Sequence, residues 1–386
     1  MNERTLYKID NIILILIFGL AIFSPFIIGI IQNDKITSGV EKRNLAKFPS
    51  SPKSLKAISD YPKSLNTYYS DHFGFREMLT KIYFVLANKL GSQSSVDDVT
   101  IGQDGWLFLG SIKSGYLRHN DPIGDAINVN LYSKKELEDF AISIMSIKNW
   151  LNKKGIEYIY VIAPNKHTIY FDKLPKYISK KNKESATDQL IKYLQEHTNV
   201  PVVDLRPALL EEKKKHLVYF KSDTHWNHYG ANVAQYIIMN KIKTLLPGKI
   251  TTSLLTGNQF KISTRKGGDL AEFAKIENII EDNPQPIFDV ECSSVDESPD
   301  TKAKKTYTMT CVPQKPNVVI FRDSFFTYLQ PYISRQFNRS TYIWERMNYK
   351  SLVKYVELEK PSIVIDEVVE RTLPYIPSNA FFNNID

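Results

Sequence analysis

Residues 11–32 carry no charged side chain, and residues 12–23 read Ile-Ile-Leu-Ile-Leu-Ile-Phe-Gly-Leu-Ala-Ile-Phe. Wound as a helix, that run spans roughly 33 Å, enough to cross a ~30 Å hydrocarbon core. Pro25 either kinks it or ends a shorter apolar core. A cleaved signal peptide is the rival reading, but the run exceeds the usual roughly 7–15 apolar residues and no small-residue cleavage site follows. An uncleaved membrane anchor is the expectation. Arg4 and Lys8 precede it whereas Lys35, Lys42, Arg43 and Lys47 follow, so basic residues do not orient it by themselves.

Beyond the anchor the pattern changes. Residues 33–59, rich in Ser, Lys and Pro, predict a juxtamembrane linker, and the aromatic, amphipathic stretch 61–90 (Tyr68, Tyr69, Phe73, Phe75, Tyr83, Phe84) predicts helices. Asp104-Gly105 reads as a turn into a short strand at Trp106-Leu107-Phe108. Then apolar positions alternate between two periods. Leu137, Phe140, Ala141, Ile144, Ile147 and Leu151 fall on one face of a helix over 133–154, with Gly155 placed to end it. Residues 156–163 form a nearly continuous apolar run, as a buried parallel strand does. Helices at 184–196, 229–246 and 325–337 and strands at 200–205, 317–321 and 362–365 continue the rhythm. Strands alternating with helices predict an α/β domain with a mainly parallel sheet covered on both faces. Residues 251–316 break the rhythm and read as a polar insertion with a hairpin.

Composition narrows the classes. With 386 residues, 42% hydrophobic and 24% charged, the chain is neither mainly disordered nor collagen-like. The net charge of +8 is scattered along the chain without a long basic block or nucleic-acid motif, so no nucleic-acid partner is expected. Two cysteines exclude a disulfide-built scaffold and a Cys-rich zinc module. Outside the cytoplasm Cys292 and Cys311 can close a loop of about 20 residues; two unpaired thiols are the alternative.

Two segments hold the chemistry. One is Ser222-Asp223-Thr224-His225-Trp226-Asn227-His228; the other is Arg322-Asp323-Ser324-Phe325, directly after the buried strand at 317–321. Acyl transfer at serine needs a hydroxyl, an imidazole to take its proton and a carboxylate to fix the imidazole tautomer. Strand ends of an α/β sheet collect such groups, and a helix N-terminus after Ser324 offers N–H groups to an oxyanion. Other readings stay open: Ser324 as a helix cap, Asp223, His225 and His228 as metal ligands, or His225 as a core histidine.

Taken together, the motifs resemble the SGNH-hydrolase-like polysaccharide O-acetyltransferases typified by the alginate acetylation proteins AlgJ and AlgX. The resemblance rests on Glu41-Lys42-Arg43-Asn44-Leu45-Ala46-Lys47-Phe48-Pro49, Asp71-His72-Phe73-Gly74-Phe75-Arg76 and Gly102-Gln103-Asp104-Gly105-Trp106-Leu107-Phe108. Ala163-Pro164-Asn165-Lys166, Asp223-Thr224-His225-Trp226, Gly268-Asp269-Leu270, Asp323-Ser324 and Val369-Glu370-Arg371 complete it. Arg322 departs from the small residue common before the serine pair.

The resemblance implies a three-layer α/β/α SGNH-hydrolase-like domain with Ser324 as nucleophile, His225 as general base and Asp223 orienting the imidazole, with no cofactor and no metal. It implies acetyl transfer to a secreted or cell-surface polysaccharide, fed by a multipass membrane O-acyltransferase partner. Because acetyl-CoA is cytoplasmic and the polymer outside, residues 1–10 are expected in the cytoplasm, 11–32 in the inner membrane, 33–95 as linker and helical segment, and 96–386, with the insertion at 251–316, on the periplasmic side. A polysaccharide acetylesterase with the same triad, or a non-catalytic carbohydrate-binding subunit of an acetylation complex, are the alternatives.

Overall fold

The structure, a computed structural model, describes residues 3–31, 37–38, 43–75, 95–96, 99–110, 120–274, 276, 279–296 and 306–373. The chain divides into two compact units, Met1–Ser92 with Ala271–Glu277, and Gln93–Leu270 with Asn278–Asp386.

In the first unit, helix α1 (Glu3–Ile31) runs without a break through Pro25. Its window Ile12–Gly29 has a mean hydropathy of 2.8, and its apolar side chains from Ile12 to Phe23 are exposed, compatible with a single-pass membrane anchor. Helix α2 (Leu55–Asp71) starts at Ser54, whose hydroxyl accepts the Ala57 N–H. Asp71 and His72 bond the backbone of Ala46 at 2.8 and 3.0 Å, so two of the recognised motifs stitch to each other. Arg76, Tyr83 and Phe84, expected in helices, lie outside the described residues, as do Glu41 and Lys42.

In the second unit, β1 (Val99–Ile101) and β2 (Leu107–Leu109) pair antiparallel, and β2 is the short strand expected after the turn at Asp104-Gly105. The main sheet is built from β3 (Glu157–Ala163), β4 (Val202–Asp204), β7 (Ser293–Asp296), β8 (Thr306–Thr310), β9 (Val318–Phe321), β10 (Arg339–Ile343) and β11 (Ile363–Val369). Between β4 and β7, strands β5 (Phe260–Lys266) and β6 (Ile280–Pro286) make a separate hairpin. The main sheet runs in the order β7-β8-β10-β9-β11-β3-β4, and all pairs from β10 to β4 are parallel.

Both faces of that sheet are covered, as the nearly continuous apolar run of β3 requires. Ile159, Val161 and Ala163 of β3 join one core with helices α5 (His228–Leu245) and α6 (Phe326–Ser334). Tyr158, Tyr160 and Ile162 join the other with α3 (Lys134–Asn152), α4 (Ala186–His197) and α7 (Tyr349–Glu359). The result is the three-layer α/β/α arrangement. Helix α3 opens with a capping box between Ser133 and Glu136. It closes where Ile156 N–H reaches the Leu151 carbonyl and Gly155 takes φ +70°, a left-handed conformation suited to glycine.

Several boundaries differ from the sequence expectation for identifiable reasons. Strand β4 is shorter than 200–205 because Pro201 has no N–H and contributes only its carbonyl, to Tyr160 N–H. Strand β11 runs four residues past 365 because Asp366 and Glu367, polar by type, are buried within it. Burial pushes the Asp366 carboxyl up to about 6, and the Tyr158 hydroxyl donates to it. The segment read as a polar insertion is partly sheet: β7 and β8 extend the main sheet antiparallel beyond β10. Cys292 and Cys311 lie one position beyond the terminal register pair Ser293↔Thr310, on the side away from the strands, and are disulfide-bonded, with Cα atoms 4.4 Å apart.

Candidate active site

Strand β9 delivers Ser324 to the rim of the sheet, and β3 and β11 end beside it. Chain order places β9 on the far side of β11 from β3, so the rim here is a point where strand order reverses, where α/β sheets bind ligands. The His225 segment arrives from a different direction. It is a loop closed by an antiparallel bridge between Tyr219 and Trp226 and followed by Asn227, whose side chain caps α5 through the Tyr229 and Gly230 N–H groups. The two motifs are joined by the Trp226 indole, which donates to the Phe325 carbonyl at 3.0 Å.

The three residues singled out by sequence come together. His225 Nε2 lies 2.8 Å from Ser324 Oγ, and His225 Nδ1 lies 2.7 Å from Asp223 Oδ1, which also accepts the His225 backbone N–H. Ser324 and His225 are half-buried and reachable from solvent. The capping reading of Ser324 fails on position: its hydroxyl faces the imidazole, and the turn is capped by Asp323, which accepts Phe325 N–H at 2.9 Å and Val369 N–H at 2.7 Å. That bond also uses the Phe325 N–H that the sequence offered to an oxyanion. The Ser324 N–H has no hydrogen-bond acceptor among the described residues.

Asp223 is doubly engaged. Its second oxygen accepts from Arg265 of β5 at 2.8 Å, and the same guanidinium donates to the Tyr328 hydroxyl at 3.0 Å. Burial would raise the Asp223 carboxyl, but His225 and Arg265 outweigh it and hold the group well below the usual carboxylate range. A second carboxylate, Asp269, stands 3.7 Å from His225 Nδ1 and accepts the Thr224 N–H at 2.7 Å. Burial, and then the Asp223 charge, push Asp269 upward. Asp223, His225 and Asp269 offer three donors within 4.8 Å of one another, a spacing a metal ion can use. Arg265 already supplies a cation at Asp223, on the oxygen that does not face His225. His228, the third ligand of the metal reading, points elsewhere: its ring faces the Tyr332 hydroxyl at 3.3 Å, and burial pushes it down to about 4.

Residues 99–337 match the family described as SGNH hydrolase-like domain, acetyltransferase AlgX. The chain belongs to this family. Among curated proteins, the probable alginate O-acetylase AlgJ of Pseudomonas syringae pv. tomato is 26% identical over 197 residues, 50% of this chain and 45% of the relative. The protein of the same name in Pseudomonas putida is 23% identical over 255 residues, 63% of this chain and 56% of the relative. The chain thus spans about half the length of the curated relatives it matches. A solved DHHW family protein from Eubacterium siraeum shares the fold at a TM-score of 0.50 and 15% identity, over 74% of this chain and 94% of that one.

In this AlgX-type domain the remaining motif blocks build the rim. Glu370 accepts the Asn165 N–H at 2.9 Å and the hydroxyls of Thr168 and Thr187, locking the end of β11 to the turn after β3. The Arg371 guanidinium lies 5.4 Å from the Phe325 ring and donates weakly to Asn165 at 3.4 Å. Arg322, the departure from the family pattern, is buried behind the turn. It bonds the Asp323 carbonyl and the Thr327 hydroxyl and stacks 4.0 Å from the Trp344 ring. Sequence reasoning quoted Asp269 only as part of a block and missed Arg265, Tyr328 and Glu281, whose carboxylate accepts the Ser222 N–H at 2.6 Å, altogether. Gly268 was the available signal: a Cβ there would lie 2.1 Å from Asp223 Oδ2, so only glycine lets the chain pass the carboxylate.

Proposed function

We propose that the protein is a membrane-anchored O-acetyltransferase that modifies hydroxyls of a polysaccharide outside the cytoplasmic membrane. The observation that carries the proposal is the unbroken series Ser324 Oγ–His225–Asp223, at 2.8 and 2.7 Å, in a domain of the acetyltransferase AlgX family. Curated relatives named as probable alginate O-acetylases support a polysaccharide as acceptor class.

His225 Nε2 takes the Ser324 proton as Oγ attacks the acetyl carbonyl of a donor. Collapse of the tetrahedral species expels the donor's leaving group, which takes that proton, and leaves acetyl-serine. A sugar hydroxyl then gives its proton to His225 and attacks the acetyl carbon, and Ser324 departs with its proton restored. Asp223 holds the Nδ1 proton and stabilises the imidazolium in both steps. The Ser324 N–H is available to the oxyanion. The N-terminal helix fits an anchor whose catalytic domain faces the polymer, and a multipass membrane O-acyltransferase would bring acetyl groups across.

The test is incubation with an activated acetyl ester, with and without oligosaccharides, followed by mass spectrometry of Ser324. An acetyl adduct on Ser324, absent in Ser324→Ala, and acetylated oligosaccharide are expected. Free acetate alone would make the site an esterase, and normal transfer by a folded Ser324→Ala protein would end the proposal. Losing a cap costs only ~1 kcal/mol, whereas losing a nucleophile costs orders of magnitude in rate.

A further inference from the structure

Lys166 is 1% exposed, and no step above uses it. Its Nζ donates to the carbonyls of Phe220 at 3.1 Å, Lys221 at 3.0 Å and Asp223 at 2.8 Å. The rings of Trp106 and Phe108 lie 5.5 and 5.2 Å away. All three carbonyls belong to the loop between Tyr219 and Trp226 that presents Asp223 and His225. The N–H groups of that loop are answered separately: Ser222 by Glu281 at 2.6 Å and Thr224 by Asp269 at 2.7 Å. Three carbonyl dipoles converging on one point repel each other unless a cation sits there, and an ammonium, with three protons and no lone pair, satisfies all three.

We infer that Lys166 is the positioning residue of the acid–base pair, its ammonium gathering the 220–223 carbonyls so that Asp223 meets His225. The inference rests on the roles proposed above for those two residues. A neutral amine has two protons and a lone pair, so losing one proton turns a donor into a repulsive contact with a carbonyl and loosens the loop without altering Ser324 or His225 directly.

A pH signature follows. Burial pushes Lys166 down to about 7, against the charges of Asp223, Asp269 and Glu281, which favour the ammonium. His167, the adjacent residue of the chain, is itself kept neutral by burial, which lowers it to about 3. Since the folded value lies below the usual 10.5, the unfolded chain binds more protons from about pH 7 to 10.5, and stability rises across that window. Activity should therefore fall on the alkaline side while the fold does not weaken.

The experiment uses the full chain in detergent micelles. Ser324 acylation by p-nitrophenyl acetate is followed against pH, together with thermal melting and amide-exchange protection of residues 218–226. The wild type should lose kcat with a one-proton alkaline limb, at unchanged KM and without a falling melting temperature. At pH 6.5 Lys166→Met should lower kcat by about 100-fold, the scale of a misplacement near 1 Å, and strip protection from 220–225. An Lys166→Met protein that keeps its protection and a rate within about threefold of wild type overturns the inference. Should Lys166→Met fail to fold, the wild-type series decides alone: no alkaline limb, or one that coincides with unfolding, overturns it. Absence of any Ser324 acylation in the wild type sinks the proposed function instead, and the exchange protection still reads Lys166 separately.

Discussion

Replacing Asp223 by Asn changes one atom, and the surroundings decide which way the amide turns. In the wild type one oxygen accepts from His225 Nδ1 and from the His225 backbone N–H, and the other accepts from Arg265. An amide has a single acceptor, so either its NH₂ faces the guanidinium or it faces the imidazole. Arg265 cannot surrender a proton, and its second arm is tied to Tyr328. Imidazole can move its own proton from Nδ1 to Nε2. The charged guanidinium outweighs the neutral His225 backbone N–H on the other side, so the amide oxygen should stay with Arg265 and His225 should switch tautomer. That places a proton on Nε2, 2.8 Å from Ser324 Oγ, where a base is needed. A wrong-tautomer imidazole costs about 10⁴ in rate, or ~5.5 kcal/mol of transition-state stabilisation. The suppressor follows from the same geometry. Asp223→Asn combined with Arg265→Gln offers the NH₂ a side-chain carbonyl, frees the amide oxygen for His225 Nδ1, and should run at least about tenfold faster than Asp223→Asn alone. Stopped-flow acylation of Ser324 by an activated acetyl ester measures the rates, and ¹⁵N shifts of labelled histidine report the tautomer. If Asp223→Asn stays within tenfold of wild type, or the double variant is no faster than the single, the reasoning is wrong.

Two further predictions concern stability. Reducing Cys292–Cys311, or replacing both cysteines by serine, removes a closed loop of about 20 residues and should lower unfolding free energy by about 3 kcal/mol in denaturant titration, with the disulfide-free loss confined to stability rather than to Ser324 acylation. His228 sits folded at about 4 against an ordinary 6.5, so the unfolded chain binds more protons between those values and stability falls as pH drops through the window. The term reaches about 3 kcal/mol at pH 4, and subtracting the pH dependence of His228→Gln from that of the wild type should isolate it; equal slopes would refute the assignment.

The α/β rhythm was legible because strands buried on both faces and amphipathic helices differ in period, as residues 156–163 and 133–154 do. Strands that mix polar residues into buried positions were not. Arg339-Ser340-Thr341-Tyr342-Ile343 carries no apolar run and drew no strand assignment, yet it is an interior strand whose Thr341 hydroxyl bonds Thr308 inside the sheet. Asp366 and Glu367 hid the length of β11 in the same way. Ser324, His225 and Asp223 were legible as a motif pair, since strand-to-helix serine and Asp-x-His carry chemistry at short range. Arg265, Asp269 and Glu281 were not, because their relation to Asp223 is set by how the 260–286 hairpin folds back, which no local spacing encodes.

That hidden part explains an energetic oddity of the site. Lys166, Arg265, Asp223, Asp269 and Glu281 crowd one loop, with Lys166 and Asp223 almost wholly removed from water. Buried ion pairs rarely repay their desolvation and are often outdone by apolar residues of equal volume. A selection for stability alone would have replaced them. What they achieve is direction: carbonyls of residues 220, 221 and 223 turn inward to one ammonium, N–H groups of 222 and 224 turn outward to two carboxylates, and each oxygen of Asp223 has a separate donor. Any slip of the loop would leave a charge unpaired at a cost of several kcal/mol, so the same groups that weaken the fold on average penalise every alternative loop geometry more strongly. A loop that must hold an imidazole within hydrogen-bond reach of a serine is where that trade is worth making.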